Sequence, residues 1–246
     1  MKITPTIFDP KQVSAAQSTR EGGVSTAPFD SLNLGLSVND NKEHVIENRT
    51  RFFTSLGFSP EQISISKQVH GKHVLHVGKP GICEGYDAQI TNVPGICLAV
   101  SVADCVPVLI HDPVTKAVAA IHAGWRGTVA DISGETLRMM KEKFNTDPVN
   151  CVAFIGACIE FDNFEVGDEV AAQFSGDIKR KNPITKKYHV DLKKANLLLL
   201  EKWGIPRENI EISEHCTWRD GHLFFSHRRD KGTTGRMMAA IGLKII

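Results

Sequence analysis

Between residues 96 and 121 the chain carries three nearly continuous apolar runs, 96–102, 106–110 and 117–121, parted only by short turn signals at Ala103-Asp104 and Asp112-Pro113. Each run is short for a helix and is bounded by turn residues, so the pattern predicts strands. A strand without polar alternation is buried on both faces, which requires a sheet with other elements packed above and below it. That requirement restricts the chain to a layered fold.

The remaining elements fit such a fold. Further strands are expected over 63–66, 74–77, 88–91, 151–155, 210–213, 222–226 and 237–245. A helix is expected over 39–56, capped by Asn39 or Asn41 and stopped by Gly57. Others are expected from Gly127 or Thr128 to Phe144, over 165–174, and over 191–203 with Asp191 as cap and Gly204 as stop. The basic stretch 179–188 reads as a solvated loop. Without repeats, low-complexity tracts or linkers, the expected fold is mixed α/β (α+β). It is a single compact domain over residues 1–246 with a mixed central sheet and flanking helices.

A formal net charge of +1 provides no basic field for nucleic acid. No run is long enough to span a membrane, and MKITPTIFDP lacks a secretory apolar core. The six cysteines, at 83, 97, 105, 151, 158 and 216, are scattered rather than arranged as a disulfide framework. These features point to a soluble protein of a reducing compartment, the cytoplasm, with neither nucleic acid nor membrane among its partners. Oligomeric state is not readable.

Three residues carry the most chemistry. His70, Cys105 and His122 each stand at the edge of an apolar run beside a turn residue, where side chains can be aimed into a shared cleft. A His–Cys–His set suits zinc, with a fourth position left for water or substrate. Gln68 and Asp104 are candidates to orient a histidine ligand. His73 and His76 either extend the cluster or lie exposed on a strand. Two other readings use the same residues without metal: Cys105 as a nucleophile with His122 or His70 as its base, or Cys105 as a small buried apolar residue.

QVHG at 68–71, ADCVPVLIHD at 103–112, HAGWRGT at 122–128, FFSHRRD at 224–230 and TGRM at 234–237 resemble, in order and spacing, the laccase-domain or polyphenol-oxidase-like family. GVS at 23–25, SLNLG at 31–35 and NRTR at 48–51 extend the resemblance over nearly the whole chain. It implies a compact α/β domain with zinc held by His70, Cys105 and His122. It also implies phosphorolysis of adenosine, inosine, guanosine and methylthioadenosine, together with deamination of adenosine. The family's oxidase designation implies copper as the alternative metal, and some bacterial relatives are linked to editing of peptidoglycan precursors. The chain departs from the family pattern at Gly156-Ala157-Cys158 and at His227, where the family commonly has tyrosine.

Chemistry ranks these activities. Multicopper oxidation needs several copper centres built from paired histidines, and this chain has ten histidines with no HxH pair. Deamination needs an activated water, which a three-ligand zinc supplies. Phosphorolysis needs an anion site, for which Arg49, Arg126, Arg228, Arg229 and Arg236 are candidates. Arg49 is favoured because the resemblance places NRxR beside the pocket. Trp125 is either a stacking platform for a base or part of the core. The expected activity is therefore a zinc purine nucleoside phosphorylase and adenosine deaminase that uses His70, Cys105, His122 and Arg49. The alternatives are a metal-independent Cys–His hydrolase or amidase in peptidoglycan precursor editing and, last, a copper polyphenol oxidase.

Overall fold

The long strands of the chain, described over residues 1–245 in a computed structural model, are divided between two six-stranded sheets. The first runs Lys2–Ile3, Val13–Ser18, Met237–Leu243, Cys97–Val102, Ile63–Lys67, Gly81–Glu84 from edge to edge. The second runs Ile210–Ile212, Val152–Ile155, Val106–Asp112, Ala117–Ala123, Ala88–Thr91, Val74–His76. Both are mixed. Ile63–Lys67 pairs in parallel with both of its neighbours, and the second sheet has parallel pairs at its two edges around an antiparallel centre.

Apolar residues on both faces of these strands produce four layers. Leu98 and Val100 of the first sheet meet Leu109, Val118, Ala120 and Phe154 of the second in one buried layer. Their neighbours Cys97 and Ala99 face outward, against Phe52 and Phe53 of the helix Lys42–Thr54. On the far side Val106, Val108, Ile110 and Ile121 pack with Leu137 and Met140 of Ile132–Phe144 and with Ala195 and Leu200 of Leu192–Lys202. Each large side chain buried in these layers contributes about 1.5–3 kcal/mol. A register slip of one residue would exchange the two faces of a strand, and the packing opposes it.

Several elements differ from expectation. The first helix begins at Lys42 because Asn41, not Asn39, accepts the Glu43 N–H at 2.8 Å. The expected helix to Phe144 is two: Trp125–Val129 ends, and Asp131, at a positive φ of 57°, caps a new start by accepting the Gly134 N–H at 3.0 Å. Within 165–174 only Asp168–Ala171 is helical. Glu165–Val166 instead pairs with Tyr188–Val190, which pairs with Lys179–Lys181, so the expected basic loop supplies two strands of a small sheet. The run 222–226 is not a strand. Phe224 and Phe225 are buried against Val102, Ala157 and Met237 without joining a ladder.

Candidate metal centre and active site

The chain passes from the first sheet to the second three times near one end, between Ile63–Lys67 and Val74–His76, between Gly81–Glu84 and Ala88–Thr91, and between Cys97–Val102 and Val106–Asp112. His70 lies on the first of these crossovers, Asp87 on the second and Cys105 on the third. His122 stands near the end of Ala117–Ala123, opposite Pro107 in the register. Gln68, on the first crossover, binds the strand Cys97–Val102 with its amide, donating to the Ser101 carbonyl at 2.9 Å and accepting the Ser101 N–H at 2.7 Å. It extends the ladder between the two strands and does not orient a histidine.

The donor atoms of His70, Cys105 and His122 lie within 4.8 Å of one another. The two imidazoles meet edge to face with centroids 4.8 Å apart. His70 is exposed, Cys105 half-buried and His122 buried, so the group forms the floor of an opening. Gly124 makes the cluster sterically feasible: a Cβ there would lie 3.1 Å from His70 Cδ2 and 3.2 Å from Cys105 Sγ. Among the described residues no other group of three such donors is gathered, and exposed His73 and His76 are not part of this one.

Asp87 is the residue that sequence reasoning passed over. It is fully buried, and its Oδ1 lies 2.8 Å from His122 Nδ1. Its carboxylate also accepts the backbone N–H groups of Val69, His70 and Gly71 at 3.2, 2.9 and 2.7 Å. One acidic side chain therefore fixes the ring of one donor and the loop that carries another, and this leaves His122 Nε2 free to ligate. Such a carboxylate–histidine pair is the usual support of a metal-bound imidazole. Burial raises the cost of the Asp87 charge, but the hydrogen bonds from His122 and Gly71 outweigh it and hold the carboxyl below its ordinary range. Burial likewise opposes a Cys105 thiolate, yet the His122 and His70 imidazoles overcome it and lower the thiol. His122 is raised in turn, because Cys105 and Asp87 outweigh its desolvation. The donor set, its spacing and the Asp87 support all fit one borderline-soft divalent ion.

Asp104, at a positive φ of 87°, makes no hydrogen bond to a histidine among the described residues. It accepts Thr217 Oγ1–H and the Arg228 N–H, each at 2.7 Å, and so ties the 226–230 turn to the crossover that carries Cys105.

A cavity of about 870 Å³ opens over the donors. Arg49, Lys67, Arg126, Arg228 and Arg236 all line it, whereas Asp104, with both oxygens engaged, is the carboxylate in its wall. Arg229 does not contribute. Its guanidinium donates to the carbonyls of Thr217, Trp218 and Phe224 and pairs with Asp230, so it braces the turn. Arg49 and Arg236 both lie on the 34–35 segment. Arg49 Nε donates to the Leu34 carbonyl at 2.8 Å, and the Arg236 stem crosses Gly35 so closely that a Cβ there would sit 2.6 Å from Cγ. Neither forms a salt bridge among the described residues. Burial brings Arg49 down to about 10, and it lowers Arg236 as well, outweighing the attraction of Asp104 and Cys105.

The motifs at 23–25, 31–35 and 48–51 are one hydrogen-bonded unit. Buried Asn48 accepts the Val24 N–H and donates to Ser25 Oγ and to the carbonyls of Ser31 and Asn33, which fixes the loop that Arg49 and Arg236 rest on. Trp125 is half-buried at the edge of the core and lines the cavity, with the Arg126 guanidinium 4.3 Å from its ring centroid. Phe164, under Arg228 at 5.3 Å, adds a second aromatic wall.

The profile of the family described as multi-copper polyphenol oxidoreductase laccase matches residues 14–244. Purine nucleoside phosphorylase YfiH of Escherichia coli is 42% identical over 246 residues, covering 98% of each chain. Purine nucleoside phosphorylase YlmD of Bacillus subtilis is 36% identical, over 95% of this chain and 90% of that one. The crystal structure of YlmD from Geobacillus stearothermophilus superposes with a TM-score of 0.92 at 35% identity, covering 98% of this chain and 94% of its own.

Proposed function

The chain belongs to the family described as multi-copper polyphenol oxidoreductase laccase, and from that membership we propose a zinc-dependent purine nucleoside phosphorylase that also deaminates adenosine. The observation that carries the reading is one cavity lined both by the His70–Cys105–His122 donor group and by the guanidiniums of Arg49 and Arg236, neither of which forms a salt bridge among the described residues. Substrates are purine nucleosides, namely adenosine, inosine, guanosine and methylthioadenosine, with phosphate. The 1–246 chain acts as one domain, and the reading places it in the cytoplasm, where its free cysteines stay reduced.

His70, Cys105 and His122 would hold the zinc, which would supply Lewis acidity and an acidified water for deamination. Asp87 keeps the His122 ring and the His70 loop in position. Arg49 spends Nε on Leu34 and directs its remaining N–H groups at phosphate, with Arg236 beside it, so the nucleophile is bound and oriented. Trp125 and Phe164 form the apolar side of the cavity, where a purine face is sheltered from water. Oxidation of phenols by several coppers is disfavoured, because it needs donor groups beyond this His₂Cys set.

The test is product analysis of adenosine incubated with zinc-quantified protein, with and without phosphate. Adenine and ribose 1-phosphate formed only with phosphate establish phosphorolysis, and inosine formed without phosphate establishes deamination. If neither appears at stoichiometric zinc, the nucleoside reading fails. Hydrolysis of peptidoglycan precursors that survives chelation and is abolished by thiol alkylation would then support Cys105 acting with His122.

A further inference from the structure

Phosphorolysis requires a proton donor for the departing purine, and the wall of the cavity narrows the choice. Guanidiniums do not give up protons in proteins, which removes Arg49, Arg126, Arg228 and Arg236. His70, Cys105 and His122 are committed as metal donors. Both oxygens of Asp104 accept hydrogen bonds, and Lys67 pairs with Glu84 at 3.6 Å on the exposed edge strand. The remaining ionisable side chain in the wall is His227.

The main chain around His227 is held rigidly while its ring is left free. The next residue, Arg228, gives its N–H to Asp104 at 2.7 Å, so His227 and Cys105 flank the same hydrogen bond. The His227 carbonyl accepts the Gly232 N–H at 2.9 Å, and Asp230 N–H closes on Ser226 at 3.0 Å. Arg229 ties the turn to Thr217 and Phe224. One edge of the ring rests near Gly232, where a Cβ would come within 3.5 Å of Cε1. The ring has no hydrogen-bond partner among the described residues. The ring is exposed and unpartnered at the cavity wall, on a main chain that is tied down, and so is available to a ligand.

We propose that His227 is the general acid of phosphorolysis, donating a ring proton to N7 of the purine. This inference rests on the nucleoside reading above. The C1′–N9 bond breaks with its electron pair passing to the base, N7 takes the proton from His227, and a phosphate oxygen forms the new bond to C1′. The proton that hydrogen phosphate loses in forming the ester returns to His227 through solvent. Histidine is the side-chain type that ordinarily exchanges protons near neutral pH. The charged groups sharing its cavity are Asp104, Lys67, Arg49, Arg126, Arg228 and Arg236.

The test compares inosine with 7-methylguanosine, whose base already carries positive charge at N7 and leaves without protonation. Purified zinc-loaded wild-type protein, His227→Gln and His227→Tyr are assayed with both substrates at saturating phosphate. His227→Gln is expected to lose about 10²- to 10⁴-fold in kcat for inosine while keeping kcat for 7-methylguanosine within about threefold. His227→Tyr, which restores a donor, is expected to recover part of the inosine rate. Equal loss on both substrates, or no loss on inosine, overturns the assignment. If the wild type phosphorolyses neither substrate, the nucleoside reading itself has failed and the assignment with it.

Discussion

Asp87 holds His122 at two points: its carboxylate Oδ1 lies 2.8 Å from the ring Nδ1, and its main-chain carbonyl accepts the His122 N–H at 2.7 Å. The same carboxylate receives three N–H groups from the loop carrying His70. The geometry of the His70–Cys105–His122 donor group thus depends on a residue outside it.

Asp87→Asn keeps the shape but loses the charge and can no longer accept every one of these bonds. Metal affinity measured by chelator competition is expected to fall about 10- to 100-fold. Asp87→Ala, which leaves buried N–H groups unpaired, is expected to cost on the order of 3 kcal/mol in denaturant unfolding as well. Unchanged affinity in both variants would show that the orienting bond is dispensable.

Gly124 has ordinary extended backbone angles, φ −70° and ψ 171°, so Gly124→Ala tests steric room alone. The added Cβ presses on His70 and Cys105 together. Metal binding is expected to weaken about tenfold, equivalent to about 1.4 kcal/mol, with little change in thermal unfolding of the metal-free protein.

Arg49→Gln removes a charge without a salt-bridge partner among the described residues, and Arg49→Lys replaces a planar fork with a point charge that lacks the paired N–H groups for bidentate phosphate binding. Both variants are expected to raise the KM for phosphate about 10- to 100-fold while retaining stoichiometric metal. Loss of metal instead would assign Arg49 to the integrity of the donor site.

Cys105 borders the cavity, whereas Cys97, Cys151, Cys158 and Cys216 are buried, and Cys83 is half-exposed on an edge strand. Alkylation mapped by mass spectrometry is expected to label Cys83 in all states and Cys105 only after chelation. Labelling of Cys105 in the metal-loaded protein would remove it from the ligand set.

His111, 1% exposed at the opposite end of its strand, has an Nε2 without a hydrogen-bond partner. Burial, against weaker opposing pulls from Asp112 and Asp9, holds its imidazole down to about 4 from 6.5. The unfolded chain therefore binds a proton that the folded chain refuses between these values. Stability is complete above pH 6.5 and is lost as pH falls toward about 4, by about 3 kcal/mol at most. His111→Leu is expected to flatten this part of the denaturation-against-pH curve, and a slope unchanged from wild type would assign the effect to other groups.

The sequence by itself determined the layered α/β class, because apolar runs such as 106–110 and 117–121 have to be covered on both faces. It also supplied the donor types: His70, Cys105 and His122 are legible as edge residues next to turns, and the ordered motifs carry the family. Periodicity did not reveal that the strands divide into two sheets. Which side of Leu98 meets which side of Leu109 is a pairing between residues distant in sequence. The short strands at 179–181 and 188–190 were hidden for a related reason, since exposed basic residues carry no alternation and only the partner strand makes the ladder.

Only the tertiary structure decided what supports the site. Asp87 looks like any acid entering a strand until the crossover carrying Val69, His70 and Gly71 and the strand carrying His122 meet around its carboxylate. Arg229 and Arg236 are similar in sequence context, yet one braces a turn and the other faces the cavity. The physical reason is common to these cases. Burial and hydrogen bonding set the charge and orientation of a side chain, and both depend on neighbours that chain order does not specify.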